Sequence, residues 1–336
     1  MSRIANVKKL AFLLAILFSL TACAQSNAPV TKVKNVTIAF GGDTHGVDQI
    51  STYLNSGGNP LKNVSKALKS ADIAVLNLES AVTTSTEHQE KEFVFNSNPY
   101  LLDWMKTEGV DIVNVGNNHA GDYLRAGFVD TLKNLNDRGF QVIGGGETGR
   151  DAWTAKIVEV RGTKIAFLGI AKVNSGVPTV ASAELSGTTD GWDPKVIELA
   201  IKAADRRADA VIIYTHWGVE AKNCPSKSEV TDANLWLSWG ATAVIGSHPH
   251  RQQPFILKDG KLIDYSLGNF IFHSNNSDGQ KSGVGILSIS PEGKAVKYVF
   301  KPALINGRTG APAFIYGAAK DKAKKEKNRF CASLNN

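Results

Sequence analysis

Residues 36–46 have the sequence Val36-Thr37-Ile38-Ala39-Phe40-Gly41-Gly42-Asp43-Thr44-His45-Gly46. A mostly apolar run is followed by two glycines and then by an acid and an imidazole two positions apart. This order predicts a buried strand that ends in a polar loop. Because residues two apart in extended backbone point to the same side, Asp43 and His45 can both be directed at one point.

The same arrangement, an apolar strand followed at once by His, Glu or Asn, recurs along the chain. The further motifs are Asn77-Leu78-Glu79, Asn117-Asn118-His119, Thr215-His216-Trp217-Gly218 and Ser247-His248-Pro249-His250. The chain has seven His, and we expect only His88 and His273, each in a polar loop, to lie outside a common site. Imidazole nitrogens with carboxylate and amide oxygens suit Zn, Mn or Fe. Two such ions, about 3.5–4 Å apart, convert bound water into a nucleophile at neutral pH.

Strand and helix patterns alternate through most of the chain, and the last third is mainly β. We predict helices at residues 61–70, 99–108, 128–138, 195–208 and 229–239, and a hairpin at 154–169. Parallel βαβ units followed by antiparallel strands predict an α/β fold with two sheets packed face to face and helices outside. The loops after the first three strands then lie at one rim, where open α/β sheets bind ligands.

The N-terminus has the pattern of an exported bacterial lipoprotein. Residues 1–22 combine a basic start with an apolar run too short to span a bilayer comfortably, as in a signal peptide. Leu20-Thr21-Ala22-Cys23 matches a lipobox, which predicts lipidation of Cys23, with residues 23–35 as a tether. We therefore expect a cell-envelope protein anchored in the membrane, at the periplasmic face of the outer membrane if the organism is Gram-negative. A plain signal peptide with a chance Cys is the alternative.

The net charge of +7 does not indicate a nucleic-acid-binding protein. Part of it lies in the signal peptide, and part lies in residues 319–336, a basic C-terminal tail that we expect to be solvated. The remaining body, residues 36–318, is nearly neutral, so we expect no nucleic-acid partner. Export places Cys224 and Cys331 in an oxidising compartment, where a disulfide between them is possible, but sequence alone leaves the pairing open.

The motifs together are similar to those of one known family. They are Gly42-Asp43, Asn77-Leu78-Glu79, Asn117-Asn118-His119, His216-Trp217-Gly218-Val219-Glu220, Gly246-Ser247-His248-Pro249-His250 and Tyr265-Ser266-Leu267-Gly268-Asn269-Phe270. In this order they resemble the CapA (PgsA-type) poly-γ-glutamate capsule biosynthesis family, part of the metallophosphatase (calcineurin-like) superfamily. The resemblance runs from about residue 36 to residue 272. It implies a four-layer α/β/β/α sandwich of the metallophosphoesterase type.

The resemblance also implies a centre of two divalent metal ions and a role for each matching residue. Asp43, His45 and His250 would hold one ion, Asn118, His216 and His248 the other, and Glu79 would bridge them. His119 would stabilise the transition state or protonate the leaving group, and Asp122 would orient His119. Arg251 departs from the family pattern beside this centre; it either binds an anionic group or faces solvent.

Two functions fit these features. The first is a metal-dependent hydrolase that cleaves a phosphoester or a γ-glutamyl amide, associated with synthesis of poly-γ-glutamate. The second is a non-catalytic, anchored component of polymer synthesis or export that binds metal and polyanion. Both imply an anionic polymer or a phosphoester as the partner, and the residues do not select phosphorus over carbonyl carbon.

Overall fold

The computed structural model describes residues 34–173 and 179–334, and its first half alternates strands and helices. The elements in this half are β1 (Val36–Thr44), α1 (Asp48–Asn55), α2 (Ser65–Lys69), β2 (Ile73–Leu78), α3 (Tyr100–Thr107), β3 (Ile112–Asn114), α4 (Leu124–Asp137), β4 (Gln141–Ile143), β5 (Gly145–Gly146), α5 (Gly149–Ala152), β6 (Lys156–Val160) and β7 (Thr163–Lys172). The strand–helix order that the sequence predicts is therefore present.

The second half returns to strands after two further helices. Its elements are β8 (Gly187–Thr188), α6 (Pro194–Asp205), β9 (Ala210–Trp217), α7 (Lys227–Ser238), β10 (Ala243–Ser247), β11 (Phe255–Lys258), β12 (Lys261–Asp264), β13 (Asn269–Ile271), β14 (Lys281–Ile289), β15 (Ala295–Ile305), β16 (Pro312–Phe314), α8 (Gly317–Lys327) and a 3-10 turn at Ala332–Leu334.

The strands form two large sheets. One has the order β16-β15-β14-β1-β2-β3-β4, with β13 also paired to β1, and the other has the order β11-β12-β10-β9-β7-β6. The pairs among β1, β2, β3 and β4 are parallel, as are β7–β9 and β9–β10, whereas β14, β15 and β16 are antiparallel. The carboxyl ends of the central parallel strands in each sheet are thereby placed at one edge.

Alternating side chains along β1 show how the layers pack. Ile38 and Phe40 lie in an apolar cluster shared with Ile212 of β9 and Ile245 of β10, so this face of the first sheet covers the second. Ala39, on the opposite face, packs in a cluster formed with the helices α1 to α4. A third cluster joins the far side of the second sheet to α6 and α7. The order of layers is helix, sheet, sheet and helix, which confirms the predicted α/β/β/α sandwich.

Two helices begin four residues away from their predicted starts. α2 begins at Ser65 rather than at residue 61, because the side chain of Asn59 accepts a hydrogen bond from the Leu61 amide (2.9 Å) and residues 60–64 form turns instead. α4 begins at Leu124 rather than at residue 128. Its first turn, Leu124-Arg125-Ala126-Gly127, contains a glycine, a residue of low helix propensity, so the sequence pattern does not indicate this extension.

The basic tail is not simply solvated, which corrects that expectation. Residues 317–327 form α8, and the side chain of Lys327 is fully buried. Its ammonium group donates to Asp264 (2.5 Å) and to the carbonyl oxygens of Gln253 and Ser266. Cys331, beyond the helix, forms a disulfide with Cys224. Two buried attachments therefore anchor a segment whose other charges mostly face solvent.

The predicted signal peptide, the lipidation of Cys23 and most of the tether lie outside the described residues. Within residues 34–173 and 179–334, no helix combines the length and the apolar character that a membrane crossing needs.

Candidate metal centre

Polar side chains from both sheets meet at the common rim. Asp43 lies at the end of β1, Glu79 follows β2 and Asn118 follows β3, while His216 lies in β9 and the His248–His250 segment follows β10. β1 reaches this rim by a close backbone contact, because a Cβ on Gly42 would lie 1.8 Å from the carbonyl oxygen of Gly268. Glycine at position 42 thus lets the Asp43 amide donate to that carbonyl (3.0 Å).

His216 is at the centre of the cluster. Its Nε2 lies 2.8 Å from Oδ1 of Asn118, 3.1 Å from Nδ1 of His248 and 3.2 Å from Oε1 of Glu79. One ring nitrogen carries at most one proton, so it can satisfy only one of these three neighbours by donating. Acceptor atoms that converge in this way are stabilised when a cation lies among them.

Glu79 is the second sign of a missing positive charge. The residue is 0% exposed, and neither of its carboxylate oxygens has a hydrogen-bond partner among the described residues. A buried carboxylate without a partner is strongly unfavourable. In agreement, burial and then the charge of Asp43 raise the pKa of Glu79 to about 8.

Two groups of candidate ligand atoms share Glu79. Atoms of Asp43, Glu79 and His250 all lie within 4.8 Å of one another, as do atoms of Glu79, His216 and His248. These groups follow the two sets that the family resemblance implies, with Glu79 common to both. The structure therefore brings together the side chains that the sequence predicts as ligands, apart from His45.

His45 is the predicted ligand that stands apart. It is buried beside Asp43, but its ring packs against Phe272 (4.2 Å between centroids) and Phe95 (4.9 Å), and its Nδ1 faces the Val47 amide. It belongs to none of the groups of ligand atoms among the described residues. Its role as a ligand stays a prediction.

Hydrogen bonds orient the carboxylate of Asp43. The side-chain amide of Asn77 donates to Oδ1 of Asp43 (2.8 Å), and the side-chain oxygen of Asn77 accepts from both Asn114 (2.8 Å) and Asn117 (3.1 Å). The amide of His248 donates to Oδ2 of Asp43 (3.1 Å). Such supporting contacts fix the direction of a ligand and are typical of metal sites.

The imidazoles have supporting contacts as well. Nδ1 of His216 lies 3.0 Å from the Ser247 hydroxyl, and Nδ1 of His250 lies 2.7 Å from Oδ1 of Asn269. His248 and His250 have backbone φ angles of 96° and 51°, a region that residues other than glycine rarely adopt. Backbone strain of this kind is concentrated at functional sites.

The protonation states of three imidazoles favour metal binding. Burial lowers the pKa of His45 and of His216 to about 3 each, and it lowers the pKa of His248 as well, so these imidazoles are neutral at pH 7. Burial opposes the charge of His250, but Glu79 and then Asp43 raise its pKa to about 10. Neutral imidazole is the form that binds a metal ion, so His250 has to release its proton when metal binds.

His119 and Asp122 form a pair beside the centre. Nδ1 of His119 lies 2.8 Å from Oδ2 of Asp122, and the other carboxylate oxygen forms an ion pair with Lys91 (2.5 Å). The ring of His119 stacks on Phe95 with 4.2 Å between centroids. The hydrogen bond to Asp122 and the stacking on Phe95 together fix the orientation of the His119 ring, and with it the position of Nε2. Both His119 and Asp122 are buried.

A pocket of about 400 Å³ opens onto the centre. His45, His119 and His250 lie at its base, and its walls carry aromatic rings, charged groups and amides; they include Phe93, Phe95, Phe272, Glu220, Arg251, His273, Asn275 and Asn276. His273 and Glu220 were not predicted as site residues. Glu220 could have been found from the sequence because it lies four residues after the predicted ligand His216. No pattern in the sequence indicated His273.

The donor set fits divalent metal ions. It contains nitrogen and oxygen atoms and two carboxylates, one of which, that of Glu79, is common to two groups and has no hydrogen-bond partner among the described residues. Asp43, Glu79, Asn118, His216, His248 and His250 are the residues that would hold them. The geometry does not distinguish Mn, Zn or Fe.

Comparison with known proteins identifies the family. Residues 37–274, more than half of the 336-residue chain, match the family described as "Bacterial capsule synthesis protein PGA_cap". The chain belongs to this family. The PGA_cap match spans all the residues of the candidate centre, from Asp43 to His250.

Similar proteins include two from Bacillus. The PGA biosynthesis protein CapA of Bacillus subtilis (strain 168) is 32% identical over 213 residues, 62% of this chain and 55% of that protein. The capsule biosynthesis protein CapA of Bacillus anthracis is 27% identical over 318 residues, 91% of this chain and 75% of that protein. The match with the B. subtilis relative thus spans about half of that protein's length.

Solved structures share the fold of this PGA_cap chain. A phosphatase from Mycoplasma pneumoniae aligns with a TM-score of 0.53 and 15% identity, covering 81% of this chain and 94% of that one. A 5'-nucleotidase precursor from Thermus thermophilus aligns with a TM-score of 0.50 and 12% identity, covering 87% of this chain and 57% of that one. The predicted fold class, the metallophosphoesterase-type sandwich, is confirmed.

Proposed function

We propose that this protein is a metal-dependent hydrolase of the cell envelope that takes part in poly-γ-glutamate capsule or polymer synthesis. Its substrate is an anionic polymer or a phosphoester, cleaved at a phosphoester or a γ-glutamyl amide bond. The family description and the names of the Bacillus relatives support the link with capsule synthesis. The fold and the ligand set support hydrolysis.

One observation carries the proposal. The buried oxygens of Glu79 have no hydrogen-bond partner among the described residues and lie between two groups of His and Asp atoms. A protein that only needed a stable core would bury an apolar residue here. Two divalent ions, when bound, supply a Lewis acid and lower the pKa of a water molecule, which is the chemistry that hydrolysis requires.

His119 is the proposed proton donor to the leaving group. It lies in the wall of the pocket, and Asp122 accepts from its Nδ1 side, which leaves Nε2 free to act on a substrate. Lys91 neutralises the second oxygen of Asp122 and keeps this carboxylate in place. General acid catalysis from a positioned imidazole typically contributes about 10²–10⁴-fold to a rate.

The pocket supports an anionic substrate that is partly apolar. Phe93, Phe95 and Phe272 provide apolar walls, and Arg251 provides a cation beside the His-Pro-His segment. Arg251 donates to the carbonyl oxygen of His250 (2.8 Å), which holds its guanidinium group at the pocket wall. Guanidinium groups bind carboxylates and phosphates through paired hydrogen bonds. A phosphoester has a phosphate at the cleaved bond, and a γ-glutamyl amide has a carboxylate close to it.

The place of action is part of the same proposal. The lipobox ending at Cys23 and the apolar run before it support export and attachment to a membrane through a lipid. The disulfide between Cys224 and Cys331 supports an oxidising compartment. Labelling of the cells with a radioactive fatty acid, compared between the wild type and Cys23→Ala, tests the anchor.

Metal analysis and two assays test the hydrolase. The full-length protein, purified in detergent, is analysed for bound metal and incubated with bis(p-nitrophenyl) phosphate and, separately, with a γ-glutamyl polymer. We expect bound divalent metal and cleavage of at least one substrate. Glu79→Gln should lose metal and activity, whereas Glu292→Gln, which removes an exposed carboxylate in a turn, should keep both.

The alternative function makes a different prediction in the same experiment. A non-catalytic component that binds metal and polyanion would contain metal and bind the polymer, but it would cleave neither substrate. Metal content without cleavage therefore overturns the hydrolase and favours the binding component. Absence of bound metal from the wild-type protein overturns both.

A further inference from the structure

Glu220 places a third carboxylate at the candidate centre, on the side of the pocket. One of its oxygens lies within 4.8 Å of ligand atoms of His248 and His250, which are themselves within 4.8 Å of each other. Unlike Asp43 and Glu79, it is exposed, and it lines the pocket that leads to the centre. No described residue forms a hydrogen bond or an ion pair with this carboxylate, although two imidazoles face it.

The backbone around Glu220 is fixed toward the His248–His250 segment. Gly218 has a φ of 88° and Ala221 a φ of 59°, so the chain turns sharply on both sides of Glu220. The Ala221 amide then donates to the carbonyl oxygen of Pro249 (2.8 Å). This bond joins the Glu220 loop directly to the residue between the two imidazoles.

The rest of the loop is held by independent attachments. Gln253 donates to the carbonyl oxygen of Lys222 (3.1 Å), and the disulfide fixes Cys224 to Cys331. A Cβ at Gly218 would lie 2.5 Å from Oε1 of Glu229, so the start of the loop is packed against α7 and requires glycine. Glu220 is thereby an exposed side chain on a loop attached at both ends, which lowers the entropic cost of binding a ligand.

Charge balance favours a ligand at this position. Two divalent ions carry four positive charges, and the two inner groups of ligand atoms contain only two carboxylates, those of Asp43 and Glu79. The other expected ligands, His and Asn, carry no negative charge. A carboxylate combined with two imidazoles is a common set for divalent transition metals. Glu220 adds the third negative charge where the centre faces solvent.

We propose that Glu220 is a further metal ligand, which binds a divalent cation from the pocket side of the centre, beside His248 and His250. It lies outside the ligand set that the family resemblance implies. Because it is exposed, it is the ligand that solvent and substrate reach first. This inference rests on the proposed metal centre and extends it.

Binding of Mn²⁺ measured by isothermal titration calorimetry tests the inference. The probe is Mn²⁺ alone, added to the full-length protein after removal of metal with a chelator, and metal content after dialysis gives the stoichiometry. We expect Glu220→Gln to weaken the binding of one equivalent by at least about 10-fold, the smaller end of effects seen on disturbing a metal site. Glu220→Asp, which keeps the charge on a shorter side chain, should recover part of the affinity.

Two matched variants make the result specific. Glu292→Gln removes an exposed carboxylate far along the chain, and Lys222→Gln changes a charge in the same loop; both should bind Mn²⁺ within about two-fold of the wild type. Thermal unfolding without metal should be unchanged in Glu220→Gln, because the side chain is exposed.

The outcomes separate this inference from the proposed function. If the wild type binds Mn²⁺ and Glu220→Gln binds it with the same affinity and stoichiometry, Glu220 is not a ligand, and the metal centre itself stands. If the wild type binds no Mn²⁺, neither Zn²⁺ nor Fe²⁺ restores binding, and metal analysis of the purified protein finds none, the centre and the inference both fail.

Discussion

Two clusters of buried charge lie in this molecule, and they are built in opposite ways. In the cluster around Lys327, every charge has a partner. The ammonium group donates to Asp264 and to two carbonyl oxygens, and the second oxygen of Asp264 accepts from the Tyr298 hydroxyl (2.6 Å). Donors and acceptors match, so the cluster needs nothing from outside the chain.

The candidate centre lacks this match. Nε2 of His216 has three close neighbours and one proton at most, and the oxygens of Glu79 have no hydrogen-bond partner among the described residues. The deficit is of positive charge, which a metal ion supplies. The difference separates a polar cluster that stabilises the fold from one that is arranged for a ligand.

The largest effect that we predict is the loss of hydrolytic activity on substitution of His119. His119→Asn should lower hydrolysis by about 10²–10⁴-fold because it removes the proposed proton donor. Metal content and the midpoint of thermal unfolding should stay near the wild-type values, since His119 is not among the expected ligands. Steady-state kinetics on the cleaved substrate and metal analysis measure both.

His88→Asn is the matched control, because His88 is an exposed imidazole that hydrogen-bonds to the backbone of Gln89. We expect it to be fully active. Retained activity in His119→Asn would remove His119 from the mechanism while leaving the metal centre in place.

Substitution of Lys327 should instead lower stability and leave metal binding by the folded protein unchanged. Lys327→Met leaves Asp264 buried without its cation, which typically costs about 3–5 kcal/mol in free energy of unfolding. Denaturant unfolding followed by circular dichroism measures the loss, and the folded fraction should keep its metal. Lys325→Met, on the exposed side of the same helix, should change stability by no more than about 0.5 kcal/mol. Equal stability of the two variants would show that the Lys327 cluster does not stabilise the fold.

The disulfide is the next largest contribution in the same region. It joins residues 107 positions apart, and removing a cross-link over so long a loop costs about 2–4 kcal/mol. The double variant Cys224→Ser/Cys331→Ser should lose this amount, and reduction of the wild type should lose the same. A double variant as stable as the oxidised wild type contradicts the prediction.

The residues of the candidate metal centre could be predicted from the sequence, whereas those of the Lys327 cluster could not. Strand-end motifs place Asp43, Glu79, Asn118, His216 and His248 at one rim because parallel strands all end at the same edge. Local sequence order is sufficient for that inference. The layer order of the fold was predictable for the same reason, since alternating strands and helices admit few arrangements.

The parts that were missed depend on contacts between distant segments. Lys327 looks like one more charge in a basic tail, and nothing near it in the sequence indicates Asp264 or Ser266 as partners. His45 is in a motif that predicts a ligand, and nothing in that motif indicates that its ring packs against Phe95 and Phe272. Side-chain packing decided both cases, and spacing along the chain carries no information about packing.

The smallest predicted effect concerns the pH dependence of the metal-free protein. Burial and the charge of Asp43 raise the pKa of Glu79 from 4.5 to about 8. Between these values the native state keeps a proton that the unfolded chain releases, so the contribution of Glu79 to stability falls as pH rises. At pH 8, in chelator, Glu79→Gln should therefore be more stable than the wild type by about 1–3 kcal/mol. At pH 4.5 the two should be nearly equal.

Glu108 is the control with the opposite sign. Burial would raise its pKa, but the hydrogen bonds from Lys69, Ser65 and Asn59 lower it below the ordinary value of 4.5. Its contribution to stability is present above that value and is lost as the pH falls through the lowered pKa. Glu108→Gln should thus be less stable than the wild type at pH 7, and the gap should narrow in acid. If Glu79→Gln behaves like Glu108→Gln, the Glu79 carboxylate has a partner in solution, and the contrast between the two clusters is wrong.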